Sequence, residues 1–321
     1  MKVLITGASG FVGAALMHRL AKDPGFEIVA AVRQVGADHR SNTKFVRIED
    51  IAPATDWSHA LAGVKVVIHT AARVHVMRDA AADPLAEFRR VNVEGTLSLA
   101  RQAAVAGVQR FVFISSIKVN GEGTCAGRPY LADDKPAPSD PYGVSKAEAE
   151  RGLRALAAET GMELVIIRPT LVYGPGVKGN FLSMMQWLNR GVPLPLGALR
   201  NKRSLVALDN LVDLIVTCVE HPAAANQIFL VSDDEDVSTT ELLQRMSEAL
   251  GKPARLLSLP AWLLMTGAFV LGKCDLSQRL CGSLQVDISK TRNLLNWSPP
   301  VSVNEGLRAA AQYFLTSDGA R

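Results

Sequence analysis

Cysteine is scarce in this sequence: Cys125, Cys218, Cys274 and Cys281 are the only four among 321 residues. They lie far apart, with neither metal-ligand spacing nor the density of a disulfide scaffold. No metal site is expected, and the thiols are expected to be reduced, as in a cytoplasm. Runs of one charge are also lacking. The 35 Lys and Arg exceed the 31 Asp and Glu by only +4 and are scattered, so nucleic-acid binding has no support and a small anionic ligand suffices as partner. No uncharged stretch is well made for a membrane span. The longest, Leu256 to Gly272, is slightly short and holds Pro260 and Gly267, which predicts a helix buried in the protein or at an interface. A strand-like run at Val3-Leu4-Ile5 comes too early to leave room for a signal peptide, so a cytoplasmic location is expected. Repeats and low-complexity segments are absent too. With 48% hydrophobic and 21% charged residues, the chain has the composition of a globular protein with a substantial core.

What is present is an alternation of short apolar runs with helical patterns. Strands are expected at Val3-Ile5, Ile28-Val32, Val66-His69, Phe111-Ser115 and Leu164-Ile167. Helices are expected near Val12 to Lys22, Phe88 to Ala106 and Tyr142 to Thr160. This is the pattern of parallel βαβ units, and it predicts an α/β fold: a Rossmann-type doubly wound parallel sheet. After Pro169, clusters of Pro and Gly at 174–176 and 192–195 mark a change of pattern. Residues 1–170 are therefore expected to form a dinucleotide-binding domain. Residues 171–321 are expected to form mainly a smaller substrate-binding lobe, with some segments returning to the first core. A helix at Ser238 to Leu250 is opened by Ser238-Thr239-Thr240-Glu241, which supplies an N-cap and an acidic first turn.

The run Thr6-Gly7-Ala8-Ser9-Gly10-Phe11-Val12-Gly13 follows the first strand and opens the first helix, where a phosphate-binding turn must lie. Gly7 permits the tight turn, Gly10 lets backbone approach a pyrophosphate, and Gly13 lets helix and sheet pack closely. Ser9, Phe11 and Val12 complete that cofactor-binding set. At the end of the second strand, Ala30-Ala31-Val32-Arg33-Gln34 has no carboxylate for ribose hydroxyls. Arg33 suits a ribose 2′-phosphate, so NADP(H) is favoured as cofactor, with NAD(H) as the other possibility. Asp50 and Ile51 are placed to meet the adenine.

In Tyr142-Gly143-Val144-Ser145-Lys146, tyrosine and lysine are four apart and share one helical face. A free phenol titrates near pH 10, so a neighbouring ammonium and a charged cofactor are needed to favour the phenolate for acid-base work. Ser115 and Ser116 follow an expected strand at the carboxyl edge of the sheet, where ligands of open α/β folds bind. Ser116 is placed to hold a substrate oxygen.

Together the TGxxGxxG turn, the serine strand end and YGVSK resemble the extended short-chain dehydrogenases/reductases that modify sugar nucleotides. Further matches are His69-Thr70-Ala71-Ala72, Val91-Asn92-Val93-Glu94-Gly95-Thr96, Arg168-Pro169 and Asp287-Ile288-Ser289-Lys290 before Leu295-Asn296-Trp297. The resemblance implies that Tyr142 moves the proton, that Lys146 tunes it and holds the nicotinamide ribose, and that Ser116 positions the sugar oxygen. It adds Thr70, Ala71, Ala72, Asn92 and Pro169 to the cofactor set. For a UDP-sugar substrate it implies Arg73, Lys118, Asn180 and Arg203, with Arg279 a weaker candidate. A homodimer paired through the helices at Phe88 to Ala106 and Tyr142 to Thr160 is implied too.

The residues after Ser116 narrow the reaction. Ile117-Lys118 replaces the Asp-Glu pair of sugar-nucleotide 4,6-dehydratases, and neither the Cys of GDP-fucose-synthase-type enzymes nor the Glu of decarboxylases is present. What remains is chemistry at sugar C4. Ser115 to Glu122 is similar to O-antigen reductases, which with Arg33 favours a 4-keto-reductase of a UDP-4-keto-6-deoxy-N-acetylhexosamine. The alternative is a UDP-hexose or UDP-N-acetylhexosamine 4-epimerase with tightly bound NAD. Other classes are a non-catalytic dinucleotide-sensing module and a steroid or flavonoid carbonyl reductase.

Overall fold

The computed structural model describes residues 1–34, 42–74, 83–125, 127–260, 262–264, 266 and 280–317. The first half begins with β1 (Lys2–Thr6), α1 (Phe11–Leu20), β2 (Glu27–Val32), β3 (Thr43–Arg47), α2 (Ser58–Leu61) and β4 (Val66–His69). Then come α3 (Pro84–Arg89), a π-helical segment (Arg90–Gly95), α4 (Thr96–Val105), β5 (Arg110–Ile114), a 3-10 turn (Ile117–Val119), α5 (Pro141–Thr160) and β6 (Glu163–Pro169). The second half contributes β7 (Leu171–Tyr173), α6 (Gly179–Asn189), β8 (Arg203–Ala207), α7 (Leu208–Glu220), β9 (Gln227–Val231), β10 (Asp236–Val237) and α8 (Thr239–Ala249). The described chain ends with α9 (Ser289–Leu295) and α10 (Val303–Thr316).

Seven strands form one parallel sheet in the order β3-β2-β1-β4-β5-β6-β9. Its fold is thus the doubly wound Rossmann type. Successive strand residues enter different cores: Val3 and Ile5 pack with Leu16, Leu211 and Ile215, while Leu4 packs with Trp57, Leu99 and Phe111 on the opposite face. Burial on both faces is what demands near-continuous apolar strands in a parallel sheet. Strand order reverses between β1 and β4, and the carboxyl ends of those strands open the crevice in which such folds bind ligands.

Two strands of this sheet lie outside the five expected ranges. β3 is a half-buried strand at the edge of the sheet, whereas the buried β9 returns from residues 227–231 to extend the sheet beside β6. The single helix expected over Phe88 to Ala106 is α3 and α4 joined by the π-helical segment. β10, β8 and β7 make a second, three-stranded sheet. A separate core of Phe181, Met184, Leu188, Leu243, Leu307 and Phe314 lies among α6, α8 and α10, and half-buried Phe11 packs against both this core and the main one. α8 carries the expected N-cap as a complete capping box between Ser238 and Glu241.

The apolar stretch Leu256 to Gly272 is described only as far as Thr266, apart from positions 261 and 265. In that part Leu264 packs against the second core, whereas Leu257, Trp262 and Leu263 are exposed. No helix among the described residues is long and apolar enough to cross a membrane.

Candidate active site

The turn after β1 is shaped by three close approaches. Gly7 has φ +68°, and a Cβ there would lie 2.8 Å from the backbone of Ala71 and 2.9 Å from Thr70 Oγ1. A Cβ on Gly13 would lie 2.2 Å from the Gly7 carbonyl oxygen, and one on Gly10 would lie 3.1 Å from it. The turn is held by the Gly10 N–H, which donates to that carbonyl at 2.8 Å. α1 has no side-chain cap and no acidic residue in its first turn, so its N-terminal amides are open to an anion. This cradle fits the pyrophosphate of a dinucleotide. Exposed Ser9 lies in the turn, and Val12 packs on the main core. Gly13→Ala is expected to weaken dinucleotide binding by roughly tenfold or more, since overpacking against backbone costs about 1–3 kcal/mol; calorimetric titration checks it, and unchanged affinity would contradict this reading of the cradle.

Thr70 closes the far side of the cradle. Its hydroxyl donates to the Thr6 carbonyl at 2.7 Å, while buried His69 joins Thr6 Oγ1 at 2.7 Å and Thr96 Oγ1 at 2.9 Å through its two ring nitrogens. Burial, with Lys146 nearby, pushes the His69 pKa down to about 3, so the imidazole is neutral and serves as a bridge between elements. At the adenosine end, exposed Arg33 ends the β2 side of the crevice, and its charge reaches Asp50. Asp50 pairs with Arg90 at 2.9 Å. Ile51 is packed so closely on Gly95 that a Cβ there would lie 2.8 Å from it.

Ser116 caps the 3-10 turn, its Oγ accepting from the Lys118 N–H at 3.3 Å. Tyr142 stands in the first turn of α5, whose cap Asp140 accepts from the Gly143 N–H at 2.6 Å. The Ser116 hydroxyl lies near enough to the Tyr142 phenol to lower its pKa. Gly143 permits this meeting: a Cβ on it would lie 2.9 Å from the Lys118 carbonyl oxygen. The glycine stood in the YGVSK run, but only the approach of two distant segments reveals its purpose.

Lys146 is buried, donates to the Ile114 carbonyl at 2.8 Å and lies 4.4 Å above the Phe113 ring. Burial pulls its pKa down to about 7, partly opposed by Glu150. Tyr142 moves the other way. Burial first, then Asp140, pushes its phenol up to about 12, against a smaller lowering influence of the Ser116 hydroxyl. The protein alone therefore keeps this phenol neutral, and the shift required for base catalysis must come from a bound charge. In cofactor-free protein, the phenolate absorbance of Tyr142, read as the difference from Tyr142→Phe, is expected to develop near pH 12. A phenolate forming below the ordinary value of about 10 would contradict this.

Behind these groups lies a buried network that sequence reading missed. The Glu150 carboxylate accepts from Ser115 Oγ at 2.5 Å and from Arg168 at 2.9 and 2.5 Å; Arg168 also donates to Asn120 Oδ1 at 2.9 Å. Asn92, in the π-helical segment, donates to Ser145 Oγ and the Arg73 carbonyl at 3.0 Å and accepts from the Arg73 N–H at 2.8 Å. It thereby ties the loop after β4 to α5. The Arg73 guanidinium lies 5.8 Å from the centre of the Phe88 ring, which meets Tyr142 edge-on at 6.1 Å.

The residues expected at the sugar nucleotide are less uniform. Lys118 is engaged by the carboxylates of Asp140 and Glu122 and braces the 3-10 turn against α5. Asn180 is exposed within the first turn of α6, whose N-cap is Lys178. Arg203, half-buried, donates to the Gly282 carbonyl at 3.1 Å, and burial lowers its pKa. Pro169 is buried at the end of β6, and Arg279 lies outside the described residues. Among the described residues there is no cluster of three or more His, Cys, Asp or Glu able to hold a metal ion.

Comparison with known proteins places this geometry in context. Residues 3–232 match the family model "NAD dependent epimerase/dehydratase family". A Vibrio cholerae protein named UDP-glucose 4-epimerase is 50% identical over 317 residues, 98% of this chain and 96% of its own length. An Escherichia coli O157:H7 protein named N-acetyl-alpha-D-glucosaminyl-diphospho-ditrans,octacis-undecaprenol 4-epimerase is 29% identical over 97% of this chain and 94% of its own. The solved structure of MoeE5 in complex with UDP-glucuronic acid and NAD superposes with a TM-score of 0.78 at 26% identity, covering 98% of this chain and 99% of MoeE5. With its Rossmann sheet and its serine, tyrosine and lysine gathered at the carboxyl edge, this chain belongs to the NAD dependent epimerase/dehydratase family of extended short-chain dehydrogenases/reductases.

Proposed function

We propose that this protein is a UDP-hexose 4-epimerase that keeps NAD bound throughout its cycle. The observation that carries the reading is the 50% identity, along nearly the whole chain, to the Vibrio cholerae protein of that name. It moves the epimerase ahead of the 4-keto-reductase favoured from the residues after Ser116. The site is compatible with this choice, because epimerisation at C4 needs one proton shuttle and no eliminating acid. Position 117 is Ile, and the carboxylates of Asp140 and Glu122 are both held by Lys118.

NAD bound in the cradle would supply a reversible hydride acceptor for C4 and a positive charge favouring the Tyr142 phenolate. Residues 1–170 hold it through the Gly7–Gly13 cradle, and residues 171–321 provide most of the sugar-nucleotide site. The Tyr142 phenolate oxygen takes the proton of the C4 hydroxyl and gives it back to the ketone oxygen. Ser116, beside Tyr142, donates to the same sugar oxygen when negative charge develops there. Lys146 stands on the same helical face as Tyr142 and would hold the nicotinamide ribose, and Asn180 and Arg203 hold the diphosphate. NAD rather than NADP is proposed because MoeE5, similar over nearly the whole chain, holds NAD. A homodimer through α4 and α5 belongs to the same proposal and requires a dimer mass by light scattering.

Denatured protein is expected to release NAD. Incubation with NADPH and a UDP-4-keto-6-deoxy-N-acetylhexosamine is expected to leave the nicotinamide absorbance nearly unchanged. Steady, stoichiometric loss of NADPH would overturn the epimerase reading in favour of the reductase.

A further inference from the structure

Two stretches that contribute to the second core contain no carboxylate. From Gly174 to Leu208 there are five Lys and Arg and no Asp or Glu; from Ala249 to Cys274 there are three and none. The fold brings the two together. Leu194 N–H donates to the Arg255 carbonyl at 2.9 Å, Leu257 N–H returns a bond to the Leu194 carbonyl at 2.8 Å, and Gly197 N–H donates to the Leu257 carbonyl at 2.9 Å.

At this junction large apolar side chains face outward. Trp187 is 44% exposed near the end of α6, and its carbonyl accepts from the Val192 N–H at 3.0 Å. Trp262 is 67% exposed in a helical turn that starts at Pro260, whose carbonyl accepts from Leu263 N–H at 3.0 Å. Among the described residues of that turn Leu264 packs inward, whereas Trp262 and Leu263 are exposed, with exposed Leu257 just before them. The protein's other two tryptophans, Trp57 and Trp297, are 1% and 5% exposed, so exposure of indole is confined to this lobe. Exposed Arg190, Lys252 and Arg255 are carried by the same segments, with Arg255 beside Gly191.

Indole rings favour the headgroup level of a bilayer, where an apolar body and a polar N–H are both satisfied. Lys and Arg beside such rings add attraction to anionic headgroups. We propose that this face of the second lobe, centred on Trp187 and Trp262, docks the enzyme on the surface of an anionic phospholipid bilayer without spanning it. Charge complementarity selects this occupant, since exposed Arg190, Lys252 and Arg255 at this junction match phosphate headgroups. The proposal is independent of which sugar reaction the site performs. It adds a place of work, bringing the product to a membrane surface.

The test uses the full chain with vesicles of phosphatidylethanolamine and phosphatidylglycerol, and with vesicles of phosphatidylcholine alone. Co-sedimentation with the anionic vesicles is expected, with a blue shift of tryptophan emission and release by added salt. Trp187→Ser combined with Trp262→Ser is expected to weaken binding at least tenfold, with thermal midpoint and turnover of soluble UDP-sugar unchanged. Lys252→Ala with Arg255→Ala provides a second, charge-only variant, expected to weaken binding by roughly tenfold. Failure to sediment, equal binding to phosphatidylcholine, or equal binding by both variants would overturn the proposal. A double-tryptophan variant that turns a dimer into a monomer by light scattering, without any lipid binding by the parent, would assign the face to a second copy of the chain instead.

Discussion

Tyr142→Phe is expected to lower turnover by roughly a thousandfold or more, within the range that a positioned acid-base group supplies, while dinucleotide binding is retained. The phenyl ring keeps its edge-on contact with Phe88, so the site keeps its shape. What is lost is the phenol beside Ser116 that the proposed mechanism uses to move the proton at the sugar oxygen. Ser116→Ala should do less harm, because it removes a donor but leaves the shuttle. Steady-state kinetics alongside calorimetric titration of NAD separates the two effects; a Phe variant with most of its activity would remove Tyr142 from the mechanism.

The largest effect on stability is expected from Arg168→Met. Arg168 is 1% exposed and makes a bidentate pair with Glu150, itself 3% exposed. Removing the guanidinium strands a buried carboxylate, with only Ser115 and the nearby Lys146 as compensation, and strips Asn120 of a donor. Breaking a buried pair in this way costs about 3–5 kcal/mol. Urea unfolding should show a large drop in midpoint. Arg168→Met with Glu150→Leu should recover much of it, because replacing both partners by apolar groups removes the stranded charge. Equal destabilisation by the single and double variants would show that the pair acts through packing alone.

The legible parts of this protein were those written in local order. The glycine turn could be read because a strand, three spaced glycines and a helix follow one another within the first twenty residues. Tyr142 and Lys146 share a helix, so their common face follows from periodicity. All five expected strands lie in the seven-stranded sheet. What could not be read depends on distant segments. Glu150 and Arg168 are paired across α5 and β6, and nothing in either local run announces the partner. β9 offered a signal, the apolar run Ile228-Phe229-Leu230-Val231, but its return to the first sheet is a matter of topology.

Charge balance was equally hidden. Lys118 reads as a substrate ligand until Asp140 and Glu122 are brought to it, and Asp50 reads as an adenine contact until Arg90 is paired with it. The π-helical segment is a slip in backbone register at Arg90–Gly95 that an apolar pattern does not betray, yet it carries the Asn92 side chain to Ser145. The expected downward shift of Tyr142 is not found: burial and Asp140 raise its pKa, and burial lowers that of Lys146.

The most direct test of the central claim is to give purified protein UDP-glucose, with no nucleotide added, and to follow the sugar nucleotides by proton NMR. UDP-galactose should appear and approach the same equilibrium mixture that is reached from UDP-galactose, with no net change in nicotinamide absorbance. If NAD-loaded protein leaves both sugars untouched, UDP-glucose 4-epimerisation is not its reaction.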